Sequence, residues 1–408
     1  MSDVPASLTT GEIIRHLRER RGLTRPVLAG LVGYSADWLK RIEAGQRGIS
    51  IPALIRIARV LHVDDLSTLI DGDRPLPVSA WEGPDHPVAT AVRQIAGINT
   101  FAPADRETEP DVVALAAGVD QAWRDWHTLP DNHTTVARAL PELITALEQA
   151  TVVLDAGQRR LAHASLAGAY GLAQHLAVDM VEPELGRVIA GRAARAAHAA
   201  DDPVSLAFGA WTYGHVLRSV DADTALRIVA EAAAELERHM AGDPDAMCLF
   251  GSLNLHMAIS AAYQGQSGSA WGFWDVANAT VRRLPSGYYH PQTVFGAENV
   301  AIHGVSIAAE LRRAGEAIGR AERIDPQAVP SRERRGRLFG EIAAGHMQRR
   351  EYDAALHFLR MSYMTSPEEV PFAPLTRGVA VELVRNATGS LKAEAVSLAS
   401  EIGILPSV

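Results

Sequence analysis

Apolar and polar positions follow a helical period along almost the whole chain, and no stretch shows the strict two-residue alternation of a half-buried strand. The first such segment starts at Thr10, where Ile13, Ile14 and Leu17 share one side of a helix that Gly22 closes. Thr24 is placed to cap a second helix through Leu31, Gly33 supplies a permissive corner, and Ser35 caps a third helix that stops near Gly45. On that third helix Leu39 and Ile42 share a face with Trp38 beside them, and Ala36, Asp37, Lys40 and Arg41 occupy the opposite face. Ser50 then caps a helix that tolerates Pro52 in its first turn and buries Leu54, Ile57, Ala58 and Leu61; Val63, Leu66, Leu69 and Ile70 close a fifth. The pattern predicts a compact bundle of five short helices in residues 1–70.

Residues 71–92 contain four prolines and two glycines and read as a linker. From 93 to 408 the pattern is helical only, rich in alanine that suits close helix packing. Breaks at Asp202-Pro203, Asp243-Pro244, His290-Pro291 and Pro330 are spaced by 41, 47 and 39 residues, which predicts an array of about five two-helix repeats. The expected fold class is all-α: a five-helix domain at 1–70, a linker at 71–92 and a helical solenoid at 93–408.

Composition narrows the function classes. The single cysteine, Cys248, forms neither an internal disulfide nor a multi-cysteine metal site, which fits a reducing cytoplasm. No signal-peptide pattern and no uninterrupted apolar run of membrane-spanning length occurs, so a soluble cytoplasmic protein without membrane association is expected. Charge is divided unevenly: residues 1–70 hold ten basic and seven acidic side chains, and the remainder holds 29 basic and 41 acidic. The N-terminal part is therefore suited to approach phosphates that would repel the rest.

The segment TRPVLAGLVGYSADWLKRIEAG, residues 24–45, resembles the helix-turn-helix domains of the Xre and phage-repressor type, and the resemblance extends over residues 10–70. It implies that Ala36, Asp37 and Arg41 face base edges. Arg41 has the fork for guanine, Asp37 accepts from a cytosine amino group, and Ala36 suits a thymine methyl. Ser35, Lys40 and Arg47 would meet phosphates. Arg25 stands where the family usually places a glutamine on the DNA backbone. The resemblance also makes Arg18 and Glu43 an ion pair that locks the first helix to the third. The competing reading is a solvated helix face in a protein-binding module.

Residues 336–367 resemble a tetratricopeptide (TPR) repeat. Phe339, Ile342, Ala343 and His346 fall on its first helix, and Tyr352, Ala355, Leu359, Ser362 and Pro367 on its second. The combination resembles the TPR regulators of actinobacteria, through FGAENVAIHGVSIAAELRRAGEA at 295–317, and more distantly the peptide-pheromone receptors of low-GC Gram-positive bacteria. First helices line the concave face of a TPR superhelix. Asn254, His256, Asn299 and His303 are therefore candidate effector contacts, against the ordinary alternative of locally satisfied core side chains. Trp123, Trp126, His127 and His133 form no metal-ligand spacing, and the other histidines read as scattered. No G-x-S-x-G, P-loop or G-x-G-x-x-G motif is present, so neither an enzyme, a cofactor nor a metal is expected.

These features converge on a sequence-specific transcriptional regulator, a homodimer on a two-fold symmetric double-stranded operator, whose array senses a peptide or small molecule. The alternative is an adaptor whose array holds a protein partner and whose small domain delivers it to DNA or itself binds protein.

Overall fold

The computed structural model describes residues 9–45, 49, 51–63, 66–69, 87–98, 109–179, 183–218 and 221–404. At the N-terminus, Thr9 and Glu12 form a reciprocal capping box on α1 (Thr10–Arg20): the Glu12 carboxylate accepts from the Thr9 amide at 2.8 Å. Thr24 and Ser35 cap α2 (Arg25–Leu31) and α3 (Ala36–Glu43) through their side-chain oxygens, as the sequence predicts. Gly33 takes φ 78° at the corner between them, a conformation that costs glycine nothing. α4 (Ile51–Val60) completes the bundle, whose centre is built from Ile14, Leu28, Leu39, Leu54, Ile57 and Leu61, all essentially inaccessible.

The fifth helix is a single 3-10 turn, Leu66–Thr68. Leu66 and Leu69, three residues apart, eclipse on one side of such a turn and both bury fully, so no longer helix is needed to cover the core. Ser50 and most of the 71–92 linker lie outside the described residues, but α5 (Pro87–Ala96) already includes its last six positions. α5 packs against the array, with Val88, Val92 and Ile95 fully buried.

Among the described residues fourteen helices follow as seven antiparallel pairs: α6 (Val112–Thr128) with α7 (Asn132–Val153), α8 (Ala156–Asp179) with α9 (Pro183–Ala200), α10 (Pro203–Leu217) with α11 (Ala222–Glu237), and α12 (Pro244–Tyr263) with α13 (Ser267–Val281). α14 (Ala297–Glu310) with α15 (Ala314–Ala321), α16 (Arg332–Gln348) with α17 (Tyr352–Thr365), and α18 (Pro374–Asn386) with α19 (Gly389–Glu401) complete them. The expected five repeats are thus exceeded among the described residues. The Asp-Pro breaks work as predicted: Asp202 caps α10 and Asp243 caps α12, each with proline as the first helical residue. His290-Pro291, by contrast, sits inside the loop between α13 and α14.

First helices touch first helices from α6 through α18, forming an inner layer, and each second helix lies outside its partner. The inner row curls back on itself, because α6 also meets α16. His127 at the end of α6 bonds Ser331 Oγ at 3.1 Å and the Gln292 carbonyl at 3.0 Å, and the Thr134 amide donates to Glu368 at 2.9 Å. α12 is apolar and long enough to cross a membrane by composition, but 94% of that window is buried, which makes it the central core helix of the ring. The N-terminal bundle docks through α4 on α18, and its apolar core runs continuously into that of α16–α19.

Candidate nucleic-acid interface and inner wall

α3 is held rigidly from behind. Trp38 stacks on Tyr34 at 3.9 Å between ring centroids, the Arg56 guanidinium from α4 lies 5.5 Å over the Tyr34 ring, and Arg56 also donates to the Val32 carbonyl at 3.3 Å. Glu43 anchors the far end. It accepts two bonds from Arg18, at 2.5 and 3.0 Å, and a third from Arg25 Nε at 2.6 Å, while Arg18 also donates to the Leu23 carbonyl. Arg18 and Glu43 are buried, and their bond raises the Arg18 guanidinium above its ordinary value.

The opposite face of α3 is open. Asp37, Lys40 and Arg41 are exposed and Ala36 is half-buried. Asp37 and Arg41, one turn apart, pair at 2.9 Å, so a base edge presented to either must compete with the other. Ser35 is exposed, with its oxygen engaged by the Trp38 amide at 3.1 Å. Arg47 lies outside the described residues. Arg25, expected on the DNA backbone, places its Nε on Glu43 at 2.6 Å.

On the inner layer, His175, His215, His256 and His303 stand on α8, α10, α12 and α14 at intervals of 40, 41 and 47 residues. The centroids of the first three rings are 5.9 and 4.7 Å apart. Nδ1 of His215 donates to the Trp211 carbonyl at 2.8 Å and Nδ1 of His303 to the Asn299 carbonyl at 2.8 Å. A carbonyl only accepts, so in the neutral ring Nε2 is the bare acceptor. Burial pushes His303 down to about 3 and holds His215 and His256 well below the usual imidazole range.

Of the four effector candidates, only His303 reaches the accessible interior. The Asn254 amide donates to Phe250 on its own helix at 2.9 Å, the Asn299 amide donates to the Thr293 carbonyl at 3.3 Å, and His256 is packed under Gly214. All three are more than nine-tenths buried. The histidine register was readable from the spacing of 40 to 47 residues, yet the sequence singles out only His256 and His303 and leaves His175 and His215 among the scattered histidines. Arg218, Glu310 and Arg337, which share the wall, carry no sequence signal of their own.

Residues 11–69 match a helix-turn-helix domain. No curated protein matches the chain. Among solved structures, a PrgX mutant aligns at 9% identity over 84% of this chain and 96% of that one, with a TM-score of 0.34. Apo ComR from S. thermophilus aligns at 12% identity over 88% and 95%, TM-score 0.30. The apo competence regulator ComR from Streptococcus vestibularis aligns at 18% over 68% and 93%, TM-score 0.21. The matched helix-turn-helix domain contains the exposed α3 face, and the helical array lies outside it.

Proposed function

We propose that the chain is a sequence-specific DNA-binding transcriptional regulator of the Xre type, with residues 1–70 as reader and the helical array as sensor and dimerisation platform. The exposed Asp37, Lys40 and Arg41 face, on a rigidly backed second helix of a matched helix-turn-helix domain, carries this reading. The basic balance of residues 1–70 against an acidic remainder supports it. Ala36, Asp37 and Arg41 meet base edges; Ser35, Lys40 and Arg47 meet phosphates; Arg25 positions Glu43 and offers its outer nitrogens to the backbone. A single reader makes few base contacts, so a homodimer on a two-fold symmetric operator supplies the specificity. A peptide or small molecule on the inner wall changes the curvature of the array and with it the spacing of the two readers. The protein works in the cytoplasm and is not an enzyme.

Selection of bound sequences from random double-stranded DNA tests this, with wild type beside Arg41→Ala. A two-fold symmetric site is expected, and the variant should bind it roughly 5- to 150-fold less tightly, the loss of about 1–3 kcal/mol from one bidentate base contact. Steep weakening with salt accompanies DNA binding through phosphates. A folded protein that enriches no site, in any salt, would favour the adaptor.

A further inference from the structure

Among the described residues, buried side-chain polar atoms without a hydrogen-bond partner all belong to the inner layer. They include Gln174 on α8, Thr212 on α10, both ring nitrogens of His256 on α12, and the Asn299 oxygen on α14. The described residues of the helix-turn-helix domain and of the outer layer have none. An unpaired buried polar atom costs about 1–3 kcal/mol, so their concentration in one layer sets the packing between its helices apart from the rest of the fold.

The charges on this wall are unequally matched. Arg337 pairs with Glu341 at 3.1 Å and Arg334 with Glu333 at 3.2 Å, both within α16. Among the described residues, Arg218, at the C-terminal end of α10, has no carboxylate at ion-pair distance; the Tyr263 ring lies 5.9 Å from its guanidinium. Glu310 from α14 faces the same interior, but burial and the neighbouring Glu341 push its carboxyl up, which weakens it as a partner for Arg218. Arg218 itself is driven below the ordinary guanidinium value, chiefly by burial, with Arg337 and Arg334 acting in the same direction and Tyr263 and Glu310 opposing them. The groups stay reachable: Arg337 and Glu310 are exposed, and Arg218, His215 and His303 are only partly buried, although the helices of the ring surround them.

We propose that Arg218, with the bare Nε2 atoms of His215 and His303, forms a binding site on the inner wall for a small ligand that carries an oxyanion together with a hydroxyl or N–H donor. The oxyanion, carboxylate or phosphate, meets the Arg218 fork. The donor meets an imidazole acceptor, the Nε2 of His215 or His303. As an effector site this rests on the regulator reading; as an anion site it stands by itself.

Isothermal titration calorimetry of the full chain tests it, with citrate and hydrogen phosphate as probes at constant ionic strength in chloride. Both carry an oxyanion and an O–H, and the better of the two identifies the class of oxyanion. Wild type should bind at least one, Arg41→Ala should bind it equally, and Arg218→Gln should bind it at least about tenfold less tightly, the loss of one charge-assisted contact. Arg218→Lys keeps the charge and loses the fork, so it should fall between the two and serves as the readout if Arg218→Gln does not fold. No heat from either probe in wild type overturns the site, as does binding that survives Arg218→Gln. Binding lost in Arg41→Ala and kept in Arg218→Gln would place the anion on the DNA-reading face. Oxyanion binding that leaves DNA affinity unchanged keeps the site and removes its role as effector site.

Discussion

At Glu43 a single carboxylate accepts from both Arg18 and Arg25, and its environment sets the value of each bond. Arg18 is buried with it, so Arg18→Ala or Glu43→Ala should cost the reader about 3–5 kcal/mol by stranding a charge. Arg25 is 38% exposed, so Arg25→Ala should cost about 0–1 kcal/mol. Thermal unfolding followed through the reader's own signals separates the two: Arg18→Ala and Glu43→Ala lose DNA binding by unfolding it, whereas Arg25→Ala leaves it folded. Equal destabilisation by all three would contradict this assignment. The Arg18–Glu43 pair follows from the family resemblance, but Arg25 turning toward Glu43 does not, because a long flexible side chain goes to whichever partner the tertiary fold brings near. The same limit applies to Asn254. Its type and helix position suit a ligand, but its amide is satisfied by Phe250 one turn back on its own helix.

Helix ends were legible because their chemistry is local. Thr24, Ser35, Asp202 and Asp243 each accept from a backbone amide two or three residues ahead, and the residue type alone announces that bond. Helix crossings were not, since they depend on contacts distant in sequence. Gly11 shows the difference: a Cβ there would lie 2.1 Å from the Ile42 carbonyl oxygen, so α1 crosses α3 at a distance only glycine allows. Gly11→Ala improves helix propensity and should nevertheless destabilise the reader by roughly 1–3 kcal/mol, because the obstacle is backbone and does not swing aside. An unchanged or raised melting temperature for the reader would show that α1 slides freely over α3. The 3-10 turn at Leu66–Thr68 belongs here as well: two apolar residues three apart suit either a helix or a single turn, and the core had room for the turn.

For the whole molecule, repeat spacing disclosed an array, but neither its seven pairs nor its closure, which depends on partners such as His127 and Ser331, 204 residues apart. Because the Gln292 carbonyl only accepts, His127 Nε2 donates to it, and Nδ1 accepts from the Ser331 hydroxyl, which in turn accepts from the Arg334 amide as the cap of α16. Burial pushes His127 down to about 4 from its ordinary 6.5. The folded state thus resists the proton that the unfolded chain accepts. Its contribution to stability is intact above pH 6.5, falls as pH drops from there toward about 4, and declines no further below that. His290, also held at about 4, and His303, at about 3, act in the same direction. Melting temperature measured between pH 7.5 and about 4.5 should therefore fall, and His127→Gln should flatten the slope. A slope identical in the variant would mean that His127 titrates normally.

Closure has a further consequence. An open stack of repeats has two ends, each held by one neighbour only, and opens from them one repeat at a time. A stack whose first pair grips its sixth, through His127 with Ser331 and Thr134 with Glu368, has no such free beginning. Strain applied at any one repeat is shared around the circuit, and the reader, seated on α18 just past the seam, rides on whatever the circuit as a whole does.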